Sequence, residues 1–173
     1  DDRSRAAFLD AIQIAEAAGL RPQVRHLAAS AAAFARPEFR FDLVRFGAFS
    51  YGIRSTGGPD LPGITPAATL VAPVSAISAS GVEVSYGCLD GLPSTLAGRM
   101  SVGTAAGPRT VREIGPASML IEAWPGAAVG DEVSVFGPGA RGESSVTTLA
   151  EAIGTVGEEI IVRVSPLIPR VYI

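Results

Sequence analysis

The sequence contains no lysine: all 14 of its cations are arginine. This removes every lysine-dependent mechanism, Schiff-base formation included, from the chain taken alone. One cysteine, Cys88, excludes an internal disulfide and any multi-cysteine metal site, and the single histidine, His26, leaves little for zinc, so no metal site is expected. The cations are scattered singly and the formal net charge is −3, so the basic patch that would follow a phosphate backbone is missing and nucleic acid is not an expected partner. No apolar run approaches the roughly 18 residues of a membrane span, and the opening DDRSRAAF has neither the basic nor the apolar segment of a secretion signal. No membrane partner is expected, and a lone cysteine fits a reducing, cytoplasmic setting. There is no initiator methionine, and the expectation is a fragment of a longer protein.

What is present suffices for a core, since 47% of the 173 residues are hydrophobic. Residues 4–18 carry Phe8, Leu9, Ile12 and Ala15 at helical spacing and stop at Gly19, which predicts an amphipathic helix. Pro22 to Leu27 reads as a short buried strand, Ser30 as the N-cap of an alanine-rich helix to Ala35, and Pro37 as its stop. Phe41 to Phe49 is a near-continuous apolar run, interrupted by Asp42 and a buried-looking arginine, Arg45, as expected for a strand covered on both faces. Helix, strand, helix, strand is the grammar of parallel βα units, but two units leave open edges. Residues 1–54 therefore read as the end of a larger α/β domain. STGGPDLPG, residues 55–63, reads as a linker.

Residues 64–173 form a second domain of another kind. The runs ATLVAPVSAIS, GVEVSYG, AGRMSVG, SMLIEAW, DEVSVFG and EIIVRVSPLI predict six or so strands of a small barrel or sandwich, with one helix near Val146 to Ile153. The expected class is α+β: terminal βα units of a (β/α)8 barrel, then a mainly antiparallel β domain.

His26, Ser30, Ala31 and Ala32 fall in an H-x-x-x-S-A-A pattern, followed by FDLVRFGAFSYG from Phe41, VSYG at Val84–Gly87, VGDEVSVFG at Val129–Gly137, AEAIGT at Ala150–Thr155 and PRVY at Pro169–Tyr172. In this order and spacing the chain resembles the C-terminal half of alanine racemase, a pyridoxal-phosphate enzyme that interconverts L- and D-alanine by two-base proton transfer. The resemblance implies a cofactor site at His26, Ser30, Arg45, Gly47 and Ala48. Arg45 would donate to the pyridine nitrogen and, because a guanidinium keeps its proton, leave that nitrogen unprotonated. Ser30 and the backbone N–H groups of Gly47 and Ala48 would take the phosphate, and His26 would support the arginine from behind. Each position also has a plain structural reading: Arg45 paired with Asp42 or Glu38, Ser30 as a simple cap, Gly47 as a turn or close-packing glycine, His26 as a satisfied core histidine.

Elsewhere the pattern breaks. The family's second catalytic base is the tyrosine of G-Y-A-D-G, contributed across the dimer, and here GTAAG places Thr104 there. A threonine hydroxyl is far less acidic than a phenol near pKa ~10, and its side chain is short. The family's S-M-D-Q becomes SMLI, Ser118 to Ile121, which keeps Met119 but replaces both polar residues with Leu120 and Ile121. Glu158 stands at the phosphate-binding tyrosine of T-I-x-Y-E, where a carboxylate about 4 Å from a phosphate costs on the order of 4 kcal/mol per charge pair at an effective dielectric near 20. Ala29 replaces an asparagine beside the phosphate serine. No catalytic residue is assigned to this chain. The resemblance implies pyridoxal phosphate as cofactor, a homodimer and an amino-acid substrate. The fragment is expected to be inactive, the alternative being a non-catalytic dimerisation or partner-binding scaffold descended from the same fold. An unrelated small barrel, recognisable by a different strand order, is the remaining possibility.

Overall fold

The structure, a computed structural model, describes residues 1–172. The chain divides into two compact units, Asp1–Ser50 and the remainder from Tyr51.

In the first unit, helix α1 spans Asp2–Ala17 and helix α2 spans Ser30–Ala35. Gly19 ends α1 as its sequence position implies: its φ of +81° lets the Gly19 N–H return to the Glu16 carbonyl and the Leu20 N–H to that of Ala15, each at 3.0 Å. Arg36 is extended before Pro37, which opens a single 3₁₀ turn, Pro37–Phe39. A small core of Ala28, Ala33 and Phe39 is flanked by Leu27, Ala32 and Val44, and edge-on ring pairs join Phe8 to Phe41 and Phe34 to Phe49.

The two strands expected at 22–27 and 41–49 do not form. Among the described residues they reduce to one parallel bridge, His26 to Leu43. The apolar content is present, but a ladder needs neighbours on its open edges, and Val24, Leu43 and Phe46 stand 43–58% exposed. Phe41 adds a local break, with a φ of +47° rare outside glycine.

The second unit is built on a closed antiparallel barrel. Its strands are β1 (Leu70–Ser78), β2 (Gly81–Val84), β3 (Ser101–Thr104), β4 (Gly107–Ile114), β5 (Met119–Ile121) and β6 (Glu132–Phe136), in spatial order β1-β2-β5-β4-β3-β6 with β6 returning to β1. Along β1, Leu70, Ala72 and Val74 are buried while Val71, Pro73 and Ser75 are exposed, the period of two expected of a barrel wall. Val82, Val84, Val102, Val111, Ile121, Val133 and Val135 fill the interior and are fully buried. Closure removes the free edges that six short strands would otherwise expose.

Two sequence expectations are corrected here. GPRTVREI is a strand, β4, that the apolar pattern does not mark: Val111 is its only buried residue, Arg112 and Glu113 are exposed, and Arg109, opposite Val102, is half-buried. EIIVRV is a helix, α4 (Gly157–Arg163), despite its β-branched residues. The six-strand ring closes without it, and Glu158 and Glu159 lie in its first turn, where the helix dipole favours negative charge.

Helix α3 (Val146–Ile153) forms where expected, with Ser145 Oγ accepting the Thr148 N–H at 3.1 Å and Gly154 ending it at a φ of +70°. Arg54 fastens the chain entering this unit to α3. Its guanidinium donates to both carboxylate oxygens of Glu151 at 2.6 and 3.0 Å and to the Gly58 carbonyl at 3.0 Å, while the Gly57 N–H also donates to Glu151. The Arg54 guanidinium, with help from Gly57, holds the Glu151 carboxyl below the usual glutamate range. The stabilisation is therefore present above that range and lost as pH falls through the depressed value. Arg54→Ala is expected to lower stability by about 1–2 kcal/mol, discounted for partial exposure, and to flatten the acid limb of a denaturation-midpoint against pH curve. An unchanged acid limb would show that the pair contributes nothing.

No described helix is long and apolar enough to cross a membrane.

Candidate functional site

Of the residues singled out in the first unit, the structure joins Ser30 and Gly47 directly, while His26 contacts the Leu43 backbone. Ser30 is not the N-cap of α2: Ala29 holds that place, with the Ala33 N–H bonded to its carbonyl, and Ser30 is the first helical residue. Its hydroxyl oxygen instead accepts the Gly47 N–H at 3.0 Å, joining the start of α2 to the end of the second extended run. A serine hydroxyl so engaged still has its own proton to donate. Gly47 is in turn fixed by its carbonyl, which accepts from both the backbone N–H and the hydroxyl of Ser50.

Steric need does not explain Gly47. A Cβ built there meets nothing within 4 Å, and its φ is not in the left-handed region. The turn and close-packing readings thus lose their support, and what remains is an open approach to backbone. Ala48 begins the 3₁₀ turn Ala48–Tyr51, whose first N–H groups have no acceptor within the turn. With the Gly47 N–H engaged by Ser30, the donors left for a compact anion are the Ser30 hydroxyl proton and the Ala48 N–H.

Arg45 is exposed, not buried as its apolar neighbours imply. Its alternative partners are both engaged: Asp42 receives Arg25 at 2.7 and 3.2 Å, and Glu38 receives Arg36 at 2.8 Å. Among the described residues, Arg45 makes no hydrogen bond or ion pair, so its planar set of donors is free for a ligand. His26 is half-buried, and its Nδ1 lies 2.9 Å from the Leu43 carbonyl oxygen. A carbonyl only accepts, so Nδ1 carries the proton. The ring therefore holds the backbone two residues before Arg45, which is support of the segment and not of the guanidinium itself.

In the second unit, Thr104 is 2% exposed at the end of β3. Its hydroxyl donates to the Gly107 carbonyl at 2.7 Å and accepts the Ala106 N–H at 3.2 Å, closing the turn into β4 with Gly107 at a φ of +92°. The oxygen is spent within its own hairpin. Met119 and Ile121 point into the barrel, where Ile121 faces Val82 and Val111, while Leu120 sits half-buried between Glu83 and Glu113. Glu158 is exposed in the first turn of α4, and Glu159 beside it accepts the Thr155 hydroxyl. A cleft of about 650 Å³ runs between the 88–95 segment and the α3–α4 corner, with Cys88, Ser94, Thr155 and Arg163 on its walls.

Sequence reasoning missed Glu143. It is a 5% exposed carboxylate ending the glycine-rich GPGARGE stretch, and that juxtaposition of acid and glycines was the available signal. Among the described residues, no group of three His, Cys, Asp or Glu side chains is arranged to hold a metal ion.

Comparison with known proteins gives a consistent result. The family of the alanine racemase N-terminal domain matches residues 2–55, and that of the alanine racemase C-terminal domain matches residues 80–172. Curated relatives include alanine racemase of Thermobifida fusca (strain YX), 35% identical over 187 residues, and that of Frankia casuarinae, 36% identical over 198. Each alignment covers 96% of this chain and 50% of the relative. The structure is similar to that of alanine racemase from Streptomyces lavendulae, with a TM-score of 0.84 at 32% identity, covering 97% of this chain and 50% of the other. It is likewise similar to that from Streptomyces coelicolor A3(2), with a TM-score of 0.85 at 31% identity, covering 96% and 50%. The chain spans about half the length of the curated relatives it matches.

Proposed function

The chain belongs to the alanine racemase family, and from that premise we propose that it is the C-terminal region of an alanine-racemase-like pyridoxal-phosphate protein, inactive as this fragment. The observation that carries the inactivity is Thr104: the residue at the position of the family's catalytic tyrosine has its hydroxyl closed into a turn. A threonine alcohol so held has neither the acidity nor the reach to exchange a proton with a substrate Cα.

The first unit fits one side of the cofactor. Arg45, unpartnered among the described residues, matches a ring nitrogen, and the Ser30 hydroxyl with the Ala48 N–H matches a phosphate; the Gly47 N–H, now given to Ser30, would have to turn to join them, and the open space at Gly47 leaves the segment accessible. When bound, the group supplies an electron sink for charge developing at the substrate Cα. Arg45, always protonated, would leave the ring nitrogen without its own proton and so limit that sink. His26 would hold the backbone that presents Arg45. The second unit offers no counterpart: Ile121 is core, Leu120 is apolar, and Glu158 adds negative charge at the family's phosphate-tyrosine position.

The same observations favour the scaffold reading for the longer protein, a homodimerising or partner-binding descendant, because the barrel is intact while Thr104 and Ile121 are absorbed into it. On either reading a cytoplasmic setting suits the free Cys88.

The test incubates the full-length protein and this chain with pyridoxal phosphate and L-alanine and measures D-alanine by chiral chromatography, with cofactor retention measured by equilibrium dialysis. No D-alanine is expected from either. Racemisation by the full-length protein would overturn the assignment of Thr104. Retention without racemisation, abolished by Arg45→Ala, would support Arg45 as a cofactor residue.

A further inference from the structure

Loop 137–143 connects β6 to the segment entering α3, and it lies against the β3–β4 hairpin. A Cβ at Gly103 would sit 2.7 Å from both the Arg141 Cβ and the Glu143 Oε2, and one at Gly142 would sit 2.9 Å from Pro108. Ser144 ties the end of the loop to the start of β3 by two bonds, its N–H to the Ser101 carbonyl at 2.9 Å and its Oγ from the Ser101 N–H at 3.1 Å.

One side chain organises this loop. Glu143 Oε1 accepts the N–H groups of Gly139 and Ala140 at 2.9 and 3.1 Å, and Oε2 accepts that of Arg141 at 2.9 Å. A Cβ at Gly137 would reach Oε1 at 2.8 Å, so Gly103 and Gly137 are the two glycines that make room for the carboxylate. Among the described residues no ionisable side chain is bonded to it. Arg141, the nearest cation in the loop, turns its guanidinium to Glu132 on β6 at 3.4 Å. The bonds to the carboxylate are thus all backbone donors, an arrangement that serves an ionised acid and opposes a protonated one.

We propose that Glu143 is an acid-released latch: its ionised carboxylate holds loop 137–143 closed on the β3–β4 hairpin and so sets the position of the Thr104 turn, and its protonation lets the loop open while the barrel stays folded. The inference does not depend on whether the protein binds a cofactor. It rests on three backbone donors converging on one buried carboxylate and on the two glycines that accommodate it. The direction follows from linkage. Burial pushes the carboxyl up, but the loop's N–H groups outweigh burial and hold it below the usual glutamate range. The closed state is therefore favoured above that range and loses its advantage as pH falls through the depressed value.

The experiment is amide hydrogen exchange on the intact protein across that pH window, corrected for the intrinsic rate. Protection at Gly139, Ala140 and Arg141 should fall together with acid, while the barrel amides of Val102 and Val135 keep theirs. In Glu143→Gln one carbonyl acceptor survives and one oxygen becomes an NH₂. Exchange at one side of the trio, Arg141 if the amide keeps its carbonyl on the Oε1 side, should accelerate about tenfold, and the acid step should vanish. Protection that is independent of pH, or that is lost in step with Val102 and Val135, would overturn the latch. So would an acid step that persists in Glu143→Gln. The wild-type titration decides the matter even where the variant fails to fold.

Discussion

Ile121→Gln, which restores the polar residue that the family's S-M-D-Q segment carries, is expected to destabilise the barrel by about 3–5 kcal/mol and to bring no gain in substrate binding. Ile121 is fully buried between Val82 and Val111, so the change removes packed methyl groups and also places an amide where the facing side chains are hydrocarbon. An unpaired buried amide costs about 1–3 kcal/mol beyond the lost packing. Ile121→Val, which shortens the side chain but adds no polarity, should cost only about 0.5–1.5 kcal/mol. Leu120→Asp, one residue earlier on the outer side, should cost about 0.5–1 kcal/mol, because it adds a carboxylate across from Glu83 and Glu113. Urea denaturation of the three variants orders these costs. A Gln variant within about 1 kcal/mol of the parent would mean that the barrel interior can solvate position 121, and the absorption of this segment into the core would be wrong.

Gly91→Ala is expected to destabilise the second unit by roughly 3 kcal/mol or more, a fall in melting temperature on the order of 10 °C. Its φ of +113° is strained for any L side chain. A Cβ there would overlap the Arg163 carbonyl oxygen and lie 2.9 Å from the Val164 nitrogen. Both obstacles are backbone at the end of α4 and cannot rotate away. The Asp90 carbonyl, which accepts the Ser165 N–H at 2.9 Å, would be pushed off the same contact. Gly98→Ala separates the two causes. Gly98 also has a positive φ, of +72°, but open space around its Cβ, so only the conformational penalty of about 1–2 kcal/mol should appear. Equal melting temperatures for the two variants would show that the approach of α4 to Gly91 is not fixed.

The parts of the fold that were legible in the sequence are those whose causes are local. Gly19 and Gly154 end helices because the left-handed conformation is open to glycine, and α3 was readable from its apolar spacing. β4 was not, since a strand with one buried residue and an arginine at its next inward position shows little of the apolar alternation that marks a strand. EIIVRV was misread because a run of β-branched residues is ambiguous until its neighbours are known, and the barrel closes without it.

The candidate site divides the same way. Ser30, Arg45 and Gly47 could be named from a motif, but the motif said nothing of what each touches. The Ser30–Gly47 bond, the freedom of Arg45 and the His26–Leu43 contact each join groups at least 17 residues apart or depend on other partners being engaged. Glu143 escaped notice because a glutamate in a glycine-rich loop reads as solvated until three amides are seen to converge on it.

By itself, then, the sequence determined ancestry, the two kinds of secondary-structure grammar and the identity of the replaced residues, since these are written in residue type and order. Tertiary structure alone decided that Thr104 closes its own turn, that Ile121 belongs to the barrel core, that Arg45 is unpartnered among the described residues and that Glu143 is buried. Each of those depends on which distant backbone groups come within hydrogen-bonding or van der Waals range, and only chain closure in space establishes that.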